Sequence, residues 1–296
     1  MRLLLAMATI VLLALSGCSA STAASDFAEG SSTHTIEVDG LDRAFITTVP
    51  NDLDENAPLV LVLHGGFGSA VQAQKAYGWD ALAAENGFVV AYPDGLGRAW
   101  NAGDGCCGNS GERDVDDVTF VTDVVDELAG ALPIDTDRVY IAGMSNGAMM
   151  AYRLACDTDY FAGVAAIAGT QLVECSDPTP TSVLHVHGED DESVRLDGEA
   201  GSGAENIDGM PVAALHKQWL SIDGCPEPTV SVTPPVTTST AACGSTDVTL
   251  TTIAGAGHQW PGSTRSAAQE RMGTDVPSDA VDATEAAWAF FSTHER

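Results

Sequence analysis

The sequence predicts a single α/β domain, a mostly parallel sheet with helices on both faces. Three observations carry this. Strand-length apolar runs alternate with helix-length amphipathic stretches from residue 35 to residue 293. Some runs, led by Pro58-Leu59-Val60-Leu61-Val62-Leu63, are continuously apolar, as strands buried on both faces are. A strand at 138–142, the turn Gly143-x-Ser145-x-Gly147 and an Ala- and Met-rich helix from residue 146 follow without a gap. That unit is a sharp elbow that lifts a serine oxygen above the carboxyl end of a sheet. The 296 residues suffice for one large domain, and they contain no internal repeat.

The elements follow in order. Residues 35–38 and 43–49 alternate polar and apolar, as a hairpin does, with Asp39-Gly40 as its turn. Strand 58–63 runs into His64-Gly65-Gly66-Phe67-Gly68. A helix is expected over 71–85 and a strand over 88–92. A Gly- and Cys-rich loop holding Trp100 fills 96–113. The helix at 116–132 carries acids in its first turn, which suits the dipole. Beyond the elbow, strands are expected at 163–168, 183–187 and 248–253, and helices at 210–222 and 281–293. Residues 223–247, rich in Thr, Pro and Ser, read as a surface excursion.

The chain has 42 acidic and 12 basic residues, a net charge of -30. Such a charge excludes nucleic acid as a partner, opposes electrostatic docking on anionic lipid, and disfavours anionic substrates. Arg2, the apolar run 3–15 and Leu15-Ser16-Gly17-Cys18 resemble a bacterial lipoprotein signal. That likeness implies a signal peptide over 1–17, acylation of Cys18 and a surface lipoprotein exported from the cell. Residues 18–33, rich in Ser, Ala, Thr and Gly, read as a flexible tether, so the catalytic domain is expected over 34–296. The lipid on Cys18 would be the sole membrane contact.

Export explains the other cysteines, Cys106, Cys107, Cys156, Cys175, Cys225 and Cys243, as disulfide partners. Six cysteines permit fifteen connectivities, and the sequence does not choose among them. Nearest-neighbour pairing would join Cys156 to Cys175 and Cys225 to Cys243, leaving a vicinal Cys106–Cys107 pair. No spacing of Cys and His fits zinc.

A nucleophilic serine requires a base, a group that orients the base, and an oxyanion hole. His258, in a glycine-rich loop after the last strand, fits the base best. His185, inside a strand, reads as a core histidine. The acid should follow a strand, and Glu189-Asp190-Asp191-Glu192 offers candidates that composition does not rank. The elbow template draws oxyanion donors from the residue after the nucleophile, Asn146, and from the His-Gly-Gly loop, Gly66. Trp100 and Trp260 are candidate flat surfaces for an acyl group or polymer.

Five motifs together resemble one family. Leu63-His64-Gly65-Gly66, Asp116-Asp117-Val118, Gly143-Met144-Ser145-Asn146-Gly147, His187-Gly188-x-x-Asp191 and Gly257-His258-x-Trp260-Pro261-Gly262 are similar to the polyhydroxybutyrate depolymerase and feruloyl esterase group of α/β-hydrolases. The likeness covers residues 35–293 and includes the cysteines. It implies the α/β-hydrolase fold and a secreted serine esterase with Ser145 as nucleophile, His258 as base and Asp191, rather than Asp190, as the acid. It implies an ester substrate, possibly polymeric, and no metal or organic cofactor. Where that family often continues Val-Pro-Tyr after the acid, this chain has Glu192-Ser193-Val194-Arg195-Leu196. A serine peptidase on the same fold and an inactive polymer-binding lipoprotein are the rival readings.

Overall fold

The computed structural model describes residues 27–202 and 206–296. The expected signal peptide over 1–17 and Cys18 lie outside the described residues. Ten strands form one sheet. They are β1 Gly30–Val38, β2 Leu41–Val49, β3 Ala57–Leu63, β4 Val89–Pro93, β5 Ile134–Met144, β6 Gly163–Ile167, β7 Ser182–Gly188, β8 Thr229–Thr233, β9 Val236–Ala242 and β10 Asp247–Ile253. Their spatial order is β1-β2-β4-β3-β5-β6-β7-β10-β9-β8. The centre, from β4 to β10, is parallel throughout. Antiparallel strands flank it on both sides.

The continuous apolar run of β3 is explained by this placement. Leu59, Leu61 and Leu63 enter one core layer, and Val60 and Val62 enter the other. The first layer packs α4 Asp117–Ala131, α5 Asn146–Asp157 and α6 Val212–Ile222 on the sheet through Phe120, Met150 and Trp219. The second packs α1 Ala70–Tyr77, α2 Trp79–Asn86 and α8 Ala283–Phe291 through Ala73, Trp79 and Phe291. The acid expected at the start of α4 serves as its cap: the Asp116 carboxylate accepts from Thr119 N at 2.9 Å.

Several sequence expectations change. The domain begins before residue 34, because Phe27 is buried against His34 and Phe45 and β1 starts at Gly30. The tether expected over 18–33 therefore ends too late: composition showed small polar residues, and pairing with β2 makes them a strand. The helix expected over 71–85 is two helices, broken where Gly78 takes φ 84°. The stretch at 223–247 holds β8 and β9, whose β-branched residues extend the sheet. Two short helices, α3 Gly108–Glu112 and α7 Ala267–Met272, had no periodicity to announce them. The bridges are Cys106–Cys107, Cys156–Cys175 and Cys225–Cys243, the nearest-neighbour set.

A buried polar chain crosses the interior beside β7. His187 Nε2 lies 2.8 Å from the Val194 carbonyl, which accepts only, so Nε2 donates. His187 Nδ1 then accepts from His185 Nε2 at 2.9 Å, and His185 Nδ1 accepts the Tyr152 hydroxyl at 2.8 Å. Burial pushes both imidazole pKa values down and the Tyr152 phenol up, so all three stay neutral and the tautomers are set. The unfolded chain takes up protons on these histidines near pH ~6.5 while the folded chain refuses them. This contribution to stability is complete above that pH and is lost as pH falls toward the folded values. Calorimetry should show Tm falling between pH 7 and pH 5, a window in which few carboxylates titrate. A flat or rising Tm would mean that the folded state accepts those protons.

Candidate active site

Four parallel strands deliver the site. The loops after β3, β5, β7 and β10 all open at their carboxyl ends, where ligands bind in open α/β sheets. Ser145 lies between β5 and α5 with φ 54° and ψ -120°, backbone that non-glycine residues seldom adopt. Its N–H donates to the Ile167 carbonyl at 2.8 Å. The flanking glycines are demanded by close approach. A Cβ on Gly143 would strike the Gly147 carbonyl, and one on Gly147 would sit 2.6 Å from the carbonyls of Leu63 and His64.

Ser145 Oγ lies 2.9 Å from His258 Nε2, and His258 Nδ1 lies 2.8 Å from Asp191 Oδ2. With Asp191 ionised, Nδ1 carries the proton and Nε2 accepts the serine hydroxyl. The other Asp191 oxygen accepts the N–H groups of Ser193 and Val194, each at 2.8 Å. Burial alone would raise the pKa of this carboxyl. The hydrogen bonds from His258 and from the Val194 backbone outweigh burial and hold it below its ordinary value. His187 Nε2 also stands 3.5 Å from Asp191 Oδ2, so the buried chain ends against the acid. Asp190 is exposed, and among the described residues it makes no hydrogen bond or ion pair with His258.

The loop after β3 is braced on all sides. His64 donates from Nδ1 to the Gly65 carbonyl at 2.8 Å and accepts the Gly95 N–H on Nε2 at 2.9 Å. Burial lowers its pKa and keeps it neutral, as this donor–acceptor pattern requires. The backbone N–H groups of Gly66 and Asn146 have no acceptor among the described residues, and both residues face the same cavity as Ser145. The Asn146 side chain clamps Trp100: Oδ1 accepts its N–H at 2.7 Å and Nδ2 donates to its carbonyl at 3.0 Å. Trp100 Nε1 in turn donates to the His64 carbonyl at 2.8 Å.

One expected substrate surface therefore needs correction. Trp100 is 0 % exposed, lines neither cavity and ties the loop after β3 to the elbow. Trp260 is 1 % exposed, stacks on Tyr77 and donates to Thr284 Oγ1 at 3.0 Å. Trp100 is a packing residue, whereas Trp260, though held by Tyr77 and Thr284, still lines the larger cavity. The aromatic ring at the mouth is Phe67, 66 % exposed and bordering both cavities that reach Ser145. Its position one residue beyond Gly66 was the available signal. Sequence reasoning also missed Asp275, whose carboxylate accepts the His258 N–H at 2.6 Å and fixes the base's loop.

The two cavities have volumes of ≈ 310 Å³ and ≈ 440 Å³. Ser193 and Val194 line the smaller one, so the departure after Asp191 lands on its wall. With a hydroxyl, an imidazole and a carboxylate in line and two free N–H groups beside them, the site can perform acyl transfer.

Comparison with known proteins places this site in context. Residues 44–225 match the family described as Esterase PHB depolymerase. NocK of Nocardia uniformis subsp. tsuyamanensis, named as an esterase, is 33 % identical over 246 residues, covering 72 % of this chain and 68 % of that one. Feruloyl esterase B of Piromyces equi is 30 % identical over 58 % of this chain, which spans only 33 % of it. Among solved structures, the acetyl xylan esterase of Aspergillus awamori superposes with a TM-score of 0.60 at 16 % identity, over 82 % of this chain and 98 % of that one. At that identity the likeness speaks to the fold. The chain belongs to the Esterase PHB depolymerase family, carboxylic ester hydrolases on the α/β-hydrolase fold.

Proposed function

We propose that the protein hydrolyses esters through an acyl-enzyme on Ser145, with His258 as base and Asp191 as the group that orients it. One observation carries this reading: the line of hydrogen bonds from Ser145 through His258 to Asp191 at the floor of two open cavities. His258 Nε2 takes the hydroxyl proton as Oγ attacks the ester carbonyl. The carbonyl oxygen becomes an oxyanion and accepts the N–H groups of Gly66 and Asn146. The tetrahedral intermediate collapses, and the proton on His258 passes to the departing alkoxide. Water then gives a proton to His258 and attacks the acyl-enzyme, releasing the acid and restoring Ser145. Asp191 stays ionised and balances the imidazolium.

For substrate, the reading is short or hydroxylated acyl esters, or feruloyl-type aryl esters, carried on material outside the cell. The size of the cavities supports this, and Phe67 offers an apolar surface at their mouth. Export with a lipid on Cys18 fits the three disulfides, which persist in oxidising compartments. Among the described residues no helix is long and apolar enough to cross a membrane.

Three outcomes are expected. Ser145→Ala, His258→Ala and Asp191→Asn should each lower kcat by about ten-thousandfold or more, non-additively, with circular dichroism unchanged. An active Asp191→Asn beside an inactive Asp190→Asn would transfer the acid's role. Turnover of p-nitrophenyl acetate and butyrate should far exceed that of the palmitate ester, and a preference for palmitate would overturn the short-acyl reading. Cys18→Ser should move the protein from the membrane fraction to the soluble fraction with hydrolysis intact; retention on membranes would end the lipid-anchor reading.

A further inference from the structure

Two arginines set their guanidinium groups on the wall of the larger cavity. Arg98 donates from Nε to the Gly68 carbonyl at 3.0 Å and from Nη2 to the Phe67 carbonyl. Arg265 donates from Nη1 to the Thr274 carbonyl at 2.7 Å. Both arginines, all three of those carbonyl-bearing residues and Ser145 line this one cavity. A guanidinium carries five N–H donors, so more than half of each fork is left unused.

Neither group has a carboxylate partner among the described residues. Arg43, Arg138, Arg153, Arg195 and Arg296 each have one, and Arg113 and Arg271, which among the described residues also have none, line neither cavity. Acids outnumber bases 42 to 12 in this chain, so carboxylates are plentiful and unpaired cations beside the nucleophile stand out. The carboxylate that shares the cavity, Asp275, is engaged by the His258 N–H. Backbone carbonyls hold the two forks in place, so little rotamer freedom remains to be lost on binding. A planar fork held this way suits a carboxylate, which it can grip through two parallel hydrogen bonds.

We propose that the cavity bearing Arg98 and Arg265 binds a free carboxylate carried by the ester substrate, as at the carboxyl end of a short hydroxy-acid oligoester. The proposal rests on Ser145 being the nucleophile and adds the chemical class of the group beside the scissile ester. The enzyme then works on chain ends and on the acid-terminated fragments that polyester cleavage produces.

The test uses a hydroxybutyrate dimer as its free acid and as its carboxyl-terminal amide, which differ only in charge at the chain end. Wild type should show a KM about ten- to hundredfold lower for the acid, the range expected for hydrogen bonds to a charged group. Arg265→Gln should bring the acid-to-amide KM ratio to about one, and Arg265→Lys should recover part of the difference. Fluorophosphonate labelling of Ser145 in each variant reports a folded, nucleophilic site. Should Arg265→Gln fail to fold, the wild-type ratio alone decides: it should shrink toward one in about 1 M salt, where the Debye length is near 3 Å. Equal KM values for acid and amide in wild type would overturn the proposal. So would a difference that persists in Arg265→Gln or in high salt. Loss of labelling in wild type would instead remove the nucleophile reading on which the proposal stands.

Discussion

The turn between β5 and α5 is the constraint around which the molecule is arranged. Ser145 holds a positive φ at its apex. Backbone of that kind costs of order 1–3 kcal/mol and persists only where its surroundings over-determine it. They do so here. The Ser145 N–H is spent on β6, Gly143 touches the Gly147 backbone, and Gly147 lies against the end of β3. No side chain fits between these segments, so the oxyanion loop, the elbow and the sheet are one packed unit. The serine oxygen is fixed by backbone contacts, and the imidazole is brought to it by a separate loop.

The loop after β3 is tied to the elbow by buried polar groups that partner one another. Asn146 satisfies both backbone groups of Trp100, and Trp100 satisfies the His64 carbonyl. Removing Asn146's side chain would orphan the buried Trp100 N–H, at about 1–3 kcal/mol, while the Trp100 carbonyl keeps the Cys107 N–H at 2.8 Å. Further out, Arg43 and Asp117 form a buried ion pair at 2.5 Å. The remaining Asp117 oxygen accepts Asn101 N at 2.7 Å and Ser110 Oγ at 3.0 Å, and Arg43 lies over the Phe120 ring. Such a pair adds little net stability against an apolar replacement, but losing one member costs about 3–5 kcal/mol. Its effect is to bind β2, α4 and the 96–113 loop in a single register, and that loop carries both Trp100 and Arg98.

Much of this was legible in the sequence because the signals were local. A continuous apolar run marks β3, a glycine-flanked serine marks the elbow, and a glycine-rich loop after a strand marks His258. The acid was different. Asp190 and Asp191 are neighbours of the same type that composition does not rank; the His187-Gly188-x-x-Asp191 likeness favoured Asp191, and the sheet is what turns that residue inward to meet His258. The role of Trp100 was misread for a related reason: aromatic type and nearness in sequence do not report which face is covered. The edges were misread because pairing is not written in either strand alone. Residues 30–33 look like linker until β2 lies beside them, and 223–247 looks like a loop until β10 does. Arg98, Arg265 and Asp275 were invisible because their importance comes from sharing a cavity across distant segments.

The charge of the chain shows the same limit at a larger scale. A net charge of -30 implies a field that repels anions, and on that basis acidic substrates were expected to be disfavoured. The field acts over the Debye length, about 8 Å at physiological salt, and is strongly screened beyond it. Inside a cavity the nearest groups dominate, because water is partly excluded and the distances are a few ångströms. There the nearest cations are two guanidiniums whose donors are only partly used, and the nearest carboxylates, Asp191 and Asp275, are bound to His258. Net charge thus describes how the molecule behaves toward surfaces and neighbours. What the cavity accepts is set by groups close enough to touch the substrate, and at this site those groups have the opposite sign.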